Sequence, residues 1–155
     1  MKLTLILCAK TNEKWISKGE DLFTNRIRKY INFEKIVLPD IKAKLPVKNI
    51  KEKEGEQILS KINNSDLVIL LDEKGDSFTS KEFANDLQKT LNSGRKRVVY
   101  VIGGPYGFSE KVYQRADKQI SLSKMTFSHQ IIRVIFLEQL YRAFTILNNE
   151  PYHHE

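Results

Sequence analysis

The sequence predicts an α/β protein whose sheet is largely parallel. Short apolar runs alternate with longer segments of helical periodicity along the whole chain. The runs at 67–71 (LVILL) and 98–102 (VVYVI) are apolar throughout, as strands covered on both faces tend to be. No repeat, low-complexity tract or linker divides the 155 residues, so one domain spanning 1–155 is expected.

Residues 2–9 read as the first strand. A helical stretch over about 12–30 follows, with Trp15, Leu22, Phe23, Ile27 and Tyr30 at helical spacings. Phe33 to Leu38 is the second strand, ended by Pro39-Asp40. A basic connector over 41–48, which includes Lys42 and Lys44, leads to a helix at about 49–62 with Glu54, Gln57, Ile58 and Ile62 along one side. The third strand is 67–71, and Asp72 to Asp76 reads as the loop after it.

Thr79-Ser-Lys-Glu82 has the form of a capping box opening a helix to about Asn92, closed by Ser93-Gly94. The fourth strand is 98–102. Ser109 is placed to cap a short helix to about Ala116, Gln119 to Leu122 is the fifth strand, and a last helix runs from Ser128 to about Leu147. That helix has no clean polar face, which implies burial on more than one side and suggests a subunit interface. Within it His129 and Arg133 share a side, and Glu138 and Arg142 have the spacing of an ion pair.

Composition narrows the classes. Lysine and arginine number 26 against 19 acidic residues, a net charge of +7, which suits a polyanionic partner. A nucleic acid is the first expectation and an acidic membrane surface the second. The one cysteine, Cys8, lies inside an apolar run, so it permits no intramolecular disulfide or cysteine-based zinc site and reads as a core residue. The N-terminal apolar run is too short for a signal peptide or a membrane span, and a cytoplasmic protein is expected.

The loop after the fourth strand, "VIGGPYGFS" at 101–109, places three glycines at the carboxyl edge of the sheet, where open α/β proteins bind ligands. It is no phosphate cradle. No lysine follows Gly107 in Walker register, the dinucleotide fingerprint belongs after the first strand, and Pro105 removes a donor. Two readings stay open at this point: a ligand without phosphate lying against backbone, or a tight turn needing positive φ. A flavodoxin-like nucleotide binder is disfavoured by the same absence.

Together, "VIGGPYGFS", "LSLSKMTFSHQIIRVIFLEQLYRAF" and the ending "PYHHE" resemble the RlmH family, small SPOUT-class methyltransferases of bacterial large-subunit ribosomal RNA. "KEKEGEQIL" at 51–59 and "LLDEKG" at 70–75 extend the resemblance over essentially the whole chain. It implies a parallel-sheet SPOUT fold with a C-terminal trefoil knot, a homodimer, and S-adenosylmethionine held in the knot loops. It also implies methylation of N3 of a pseudouridine in 23S rRNA on the assembled ribosome, so RNA and not DNA is the expected nucleic acid. Carried over by position, the cofactor residues are Leu71, Gly103, Gly104, Leu122, Ser123, Lys124, Met125, Thr126 and Phe127; no metal is implied. On this reading the glycines let backbone lie against the cofactor.

For catalysis the resemblance points to Arg142, Tyr152 and His153: an anion stabiliser, a stacking surface for the base, and a side chain able to take a proton near neutral pH. Without it, residues 152–155 would read as a frayed end. The chain departs from the family pattern at Ser128, where proline is common, and at His154, where arginine or lysine is usual. Arg26, Arg28, Lys29, Lys42, Lys44, Arg95, Lys96 and Arg97 are candidates for RNA phosphate contacts. A catalytically silent RNA-binding dimer is the alternative.

Overall fold

The structure, a computed structural model, describes residues 1–41 and 44–154. Five strands, β1 (Lys2–Cys8), β2 (Asn32–Leu38), β3 (Leu67–Ser77), β4 (Arg97–Ile102) and β5 (Lys118–Ser121), pair in parallel throughout, in the order β2-β1-β4-β3-β5. Helices α1 (Lys14–Ile27), α3 (Ser80–Leu91) and α5 (Ile131–Leu147) pack together on one face. Helices α2 (Val47–Ser60) and α4 (Glu110–Arg115) cover the other.

This layering explains the apolar runs. In β1, Leu3, Leu5 and Leu7 enter the core beneath α1, α3 and α5, while Ile6 and Cys8 enter the core beneath α2 and α4. Both faces are dry, so no polar alternation survives in the sequence. The capping box forms as expected: Thr79 Oγ1 accepts from the Glu82 amide at 3.1 Å, and the Glu82 carboxylate accepts from the Thr79 amide at 2.9 Å. Ser109 is the N-cap of α4.

Four expectations are corrected. Asp72 to Asp76 is not a loop, because β3 continues through it to Ser77. Leu71 and then Asp76 pair with the same residue, Ile120, so the chain between them bulges and returns to β5. A Cβ at Gly75 would lie 2.5 Å from the Gln119 carbonyl carbon, so only glycine lets β3 rest on the β5 backbone there. Second, α5 starts at Ile131. Ser128 instead caps the preceding turn, its hydroxyl accepting from the Ile131 amide at 3.1 Å.

Third, the inward stripe of α1 is Ile16, Glu20, Thr24 and Ile27, whereas Trp15 and Leu22 are 60% and 47% exposed. Two polar residues in the buried stripe hide it from a reading by hydrophobicity. Fourth, Leu137, part of the expected interface helix, is fully buried in the chain's own core. Of the basic connector, Lys42 lies outside the described residues, and Lys44 is exposed.

Candidate active site

At the carboxyl ends of β3, β4 and β5 lies a cleft of about 290 Å³. The β3 bulge contributes Leu71 and Asp72 to Lys74. The loop after β4 contributes Gly103 to Pro105, Gly107 and Phe108, and the loop after β5 contributes Leu122, Ser123 and Met125 to Phe127. His129 and Ile132, from the turn before α5 and its first residues, close the far side. All three chain segments leave the sheet at one edge because every strand is parallel, which is how ligand crevices arise in such sheets.

Of the residues expected at a cofactor site, Leu71, Gly103, Gly104, Leu122, Ser123, Met125, Thr126 and Phe127 line this cleft, and Lys124 is exposed outside its lining. The loop after β5 is shaped by its own hydroxyls. Ser121 Oγ donates to the Ser123 carbonyl at 2.8 Å, and Ser123 Oγ accepts from the Met125 amide at 2.9 Å. Met125 is 77% exposed.

At Gly103 and Gly104 the space beside the backbone is taken by the chain's own side chains. A Cβ at Gly103 would meet Phe108 Cε1 at 2.9 Å, and one at Gly104 would meet Glu54 Oε2 at 2.6 Å. Neither glycine has a positive φ; that requirement falls on Gly107, at φ +80°. The close approach at 103 and 104 is therefore already made by the chain's own side chains, so a bulky substitution there disturbs the fold as well as any ligand.

Asp72 and His129, both in the lining, have close partners that shape the electrostatics of the cleft. The Tyr113 hydroxyl donates to Asp72 Oδ2 in a short contact, and burial together with that carboxylate pushes Tyr113 up to about 12. Burial and then the nearby Arg133 guanidinium hold His129 below the ordinary histidine value. Arg133 is fully buried and donates to the carbonyls of Cys8 (2.7 Å), Ala9 (3.0 Å) and His129 (3.1 Å) and to Thr11 Oγ1 (3.0 Å). It ties the end of β1 to the cleft-lining turn. Nothing in the sequence showed that Tyr113 meets a carboxylate 41 positions earlier, or that Arg133 is enclosed.

Tyr152 and His153 are packed against α5, not frayed. The Tyr152 ring packs on Tyr141 with centroids 4.7 Å apart and lies 4.8 Å from the Arg142 guanidinium carbon, and its hydroxyl donates to Glu138 Oε1 at 3.3 Å. Arg142 Nε donates to Glu138 Oε1 at 2.9 Å, and Arg142 Nη1 lies 3.0 Å from His153 Nδ1. A guanidinium only donates, so Nδ1 is the acceptor. Arg142, Tyr152 and His153 thus form one cluster. It sits at the opposite end of α5 from the cleft, since ten helical residues from Ile132 to Arg142 span roughly 15 Å.

Several candidate phosphate contacts are otherwise engaged. Arg97 pairs with Asp66 (Nε to Oδ1, 3.0 Å) and donates to the Lys61 carbonyl, Arg95 donates to the Ser65 carbonyl, and Arg28 Nε to that of Phe33. Arg26 stacks over Phe23 and Tyr141, while Lys29 and Lys44 are exposed. Among the described residues no group of three His, Cys, Asp or Glu side chains could hold a metal, and no helix is long and apolar enough to cross a membrane.

Residues 1–153 match the family model described as "Predicted SPOUT methyltransferase". Curated relatives match over nearly their entire length. The chain is 54% identical to a ribosomal RNA large subunit methyltransferase H of Christiangramia forsetii, over 99% of each chain. It is 54% and 53% identical to proteins of the same name from Parabacteroides distasonis and Flavobacterium johnsoniae, over the whole of both chains in each case. With a parallel five-stranded sheet, a cleft built from the three carboxyl-edge segments and a family match from the first residue into the C-terminal tail, the chain belongs to the SPOUT methyltransferases, in their RlmH branch.

Proposed function

We propose that this protein is a cytoplasmic, S-adenosylmethionine-dependent methyltransferase of 23S rRNA that methylates N3 of a pseudouridine on the assembled ribosome. The observation that carries this is the cleft itself, set at the carboxyl edge in a chain of this family. Its lining suits the donor. Leu71, Ile102, Leu122, Phe127 and Ile132 offer apolar surface for an adenosine ring, and the glycine loop offers backbone groups. Asp72 and Glu73 bring two carboxylates to the lining against one lysine, Lys74, a balance that favours a cation. When bound, S-adenosylmethionine supplies an electrophilic methyl group on a sulfonium sulfur.

The chain's own residues then have three tasks. The cleft positions the donor and keeps out water, which matters because charge disperses as the methyl group moves. His153 takes the N3 proton at Nδ1, the atom that Arg142 now engages, so Arg142 must first turn away. Once turned, the guanidinium can stabilise charge building on the uracil oxygens, and Tyr152 offers a ring to stack the base. The cluster and the cleft lie at opposite ends of α5, so the reading requires a homodimer in which the tail of one subunit completes the cleft of the other. The trefoil knot belongs to the same proposal.

Calorimetry tests the donor site. S-adenosylmethionine should bind the purified protein with a chelator present. Thr126→Arg, an exposed position on the cleft, adds bulk and like charge and should weaken binding by about tenfold or more, with the fold intact by circular dichroism. Unchanged affinity in that variant would remove the donor from this cleft.

A further inference from the structure

The segment "KEKEGEQIL" supplies α2, a helix that contributes no residue to the cleft, yet it reaches the glycine loop from behind at two consecutive residues. The Glu54 carboxylate lies against the Gly104 backbone, and the Gly104 amide faces it as well as the Cys8 sulfur. Glu54 Oε2 stands only 2.6 Å from where a Cβ on Gly104 would be. Next to it, Gly55 is buried against Ser109, the N-cap of α4, where a Cβ would meet Ser109 Oγ at 2.4 Å. These two contacts hold both ends of the stretch from Gly104 to Ser109, all but two of whose residues line the cleft.

The carboxylate occupies an awkward place for a charge. Glu54 is half-buried, burial pushes it above the ordinary glutamate value, and the Cys8 thiol beside it is itself pushed up to about 12, chiefly by burial. A glutamate whose only duty was surface solubility would lie on the outer side of α2, as Glu52 and Glu56 do. A partly desolvated carboxylate is retained where its acceptor oxygen has a task. The task available here is the Gly104 amide, one of the backbone groups that shape the cleft.

We infer that Glu54 is a positioning residue of the donor site: its carboxylate fixes the Gly104 amide and, with Gly55 against Ser109, sets the course of the loop that forms the cleft wall. It touches no substrate and acts through the loop. This rests on the cleft being the donor site, and it adds a residue of α2 to that site's machinery.

Two variants separate positioning from general stability. Glu54→Gln keeps the length and an acceptor oxygen, whereas Glu54→Asp keeps the charge but is one bond, roughly 1.5 Å, too short to reach the amide. Amide hydrogen exchange is read first, on the protein without donor. Glu54→Asp should speed exchange in the peptide covering 103–109 by about tenfold, while the β1 and β4 peptides keep their protection and Glu54→Gln stays near the parent. In calorimetry, Glu54→Asp should weaken S-adenosylmethionine by about tenfold and Glu54→Gln by only a few-fold. Parent-like exchange at 103–109 in Glu54→Asp would overturn the inference, as would equal loss in both variants. A parent protein that does not bind the donor would defeat the donor reading alone, and the exchange result would still decide whether Glu54 sets the loop.

Discussion

Arg133 shows at the scale of one residue how this chain connects its core to its site. A guanidinium without solvent is tolerated only when its donors are engaged, and here three carbonyls and a hydroxyl accept from it. Ala9 turns its carbonyl toward this group from a left-handed backbone at φ +71°, a conformation that costs a non-glycine residue about 1 kcal/mol. The Thr11 hydroxyl passes the contact on to the buried Glu20, which pairs with Lys35 at 3.1 Å. Arg133→Met, of similar length, leaves those carbonyls without a donor. It should cost about 3 kcal/mol or more in urea denaturation. Because the guanidinium charge helps hold His129 low, the same variant should raise the His129 titration midpoint by NMR. An unchanged midpoint would mean that the two groups do not communicate.

At the scale of elements, α5 was legible in outline and misread in detail. Its lack of a polar face predicted burial on several sides, and no residue from Ile131 to Leu147 is exposed. The sequence could not say which apolar side meets the chain's own α1 and α3. Leu137, on the helix expected to form an interface, is core. The tail was hidden for a related reason: Tyr152 and His153 are held by Tyr141, Arg142 and Glu138, and these contacts depend on the chain reversing after α5. Deleting 152–155 should therefore lower stability by about 1 kcal/mol through loss of the Tyr152 ring contacts. Methyl transfer should fall by about 100-fold while donor affinity stays the same. Full activity in the truncated protein would end the catalytic role of Tyr152 and His153.

Across the whole molecule, the class of fold was plain because both sheet faces are buried, which made the strands continuous apolar runs separated by helical periods. The strand order and the β3 bulge were not. The bulge is written in charged residues that read as a loop, and only the contact of Gly75 with the β5 backbone explains why they form a strand. The site was legible as three segments at one edge, and the resemblance to a family gave it an expected ligand; the Asp72–Tyr113 pair and Glu54 needed coordinates. The net charge of +7 agrees with an RNA partner, although Arg95 and Arg97 are engaged within the chain. The central claim is methyl transfer to one nucleotide of assembled ribosomes. Its most direct test is mass spectrometry of 23S rRNA nucleosides after ribosomes from a strain lacking the gene are incubated with the purified protein and isotopically labelled S-adenosylmethionine. The account predicts labelled 3-methylpseudouridine at one site on intact ribosomes, with far less on a transcribed hairpin. Ribosomes that acquire no labelled pseudouridine, from a protein that still binds both donor and ribosome, would contradict it and leave a silent RNA-binding dimer in its place.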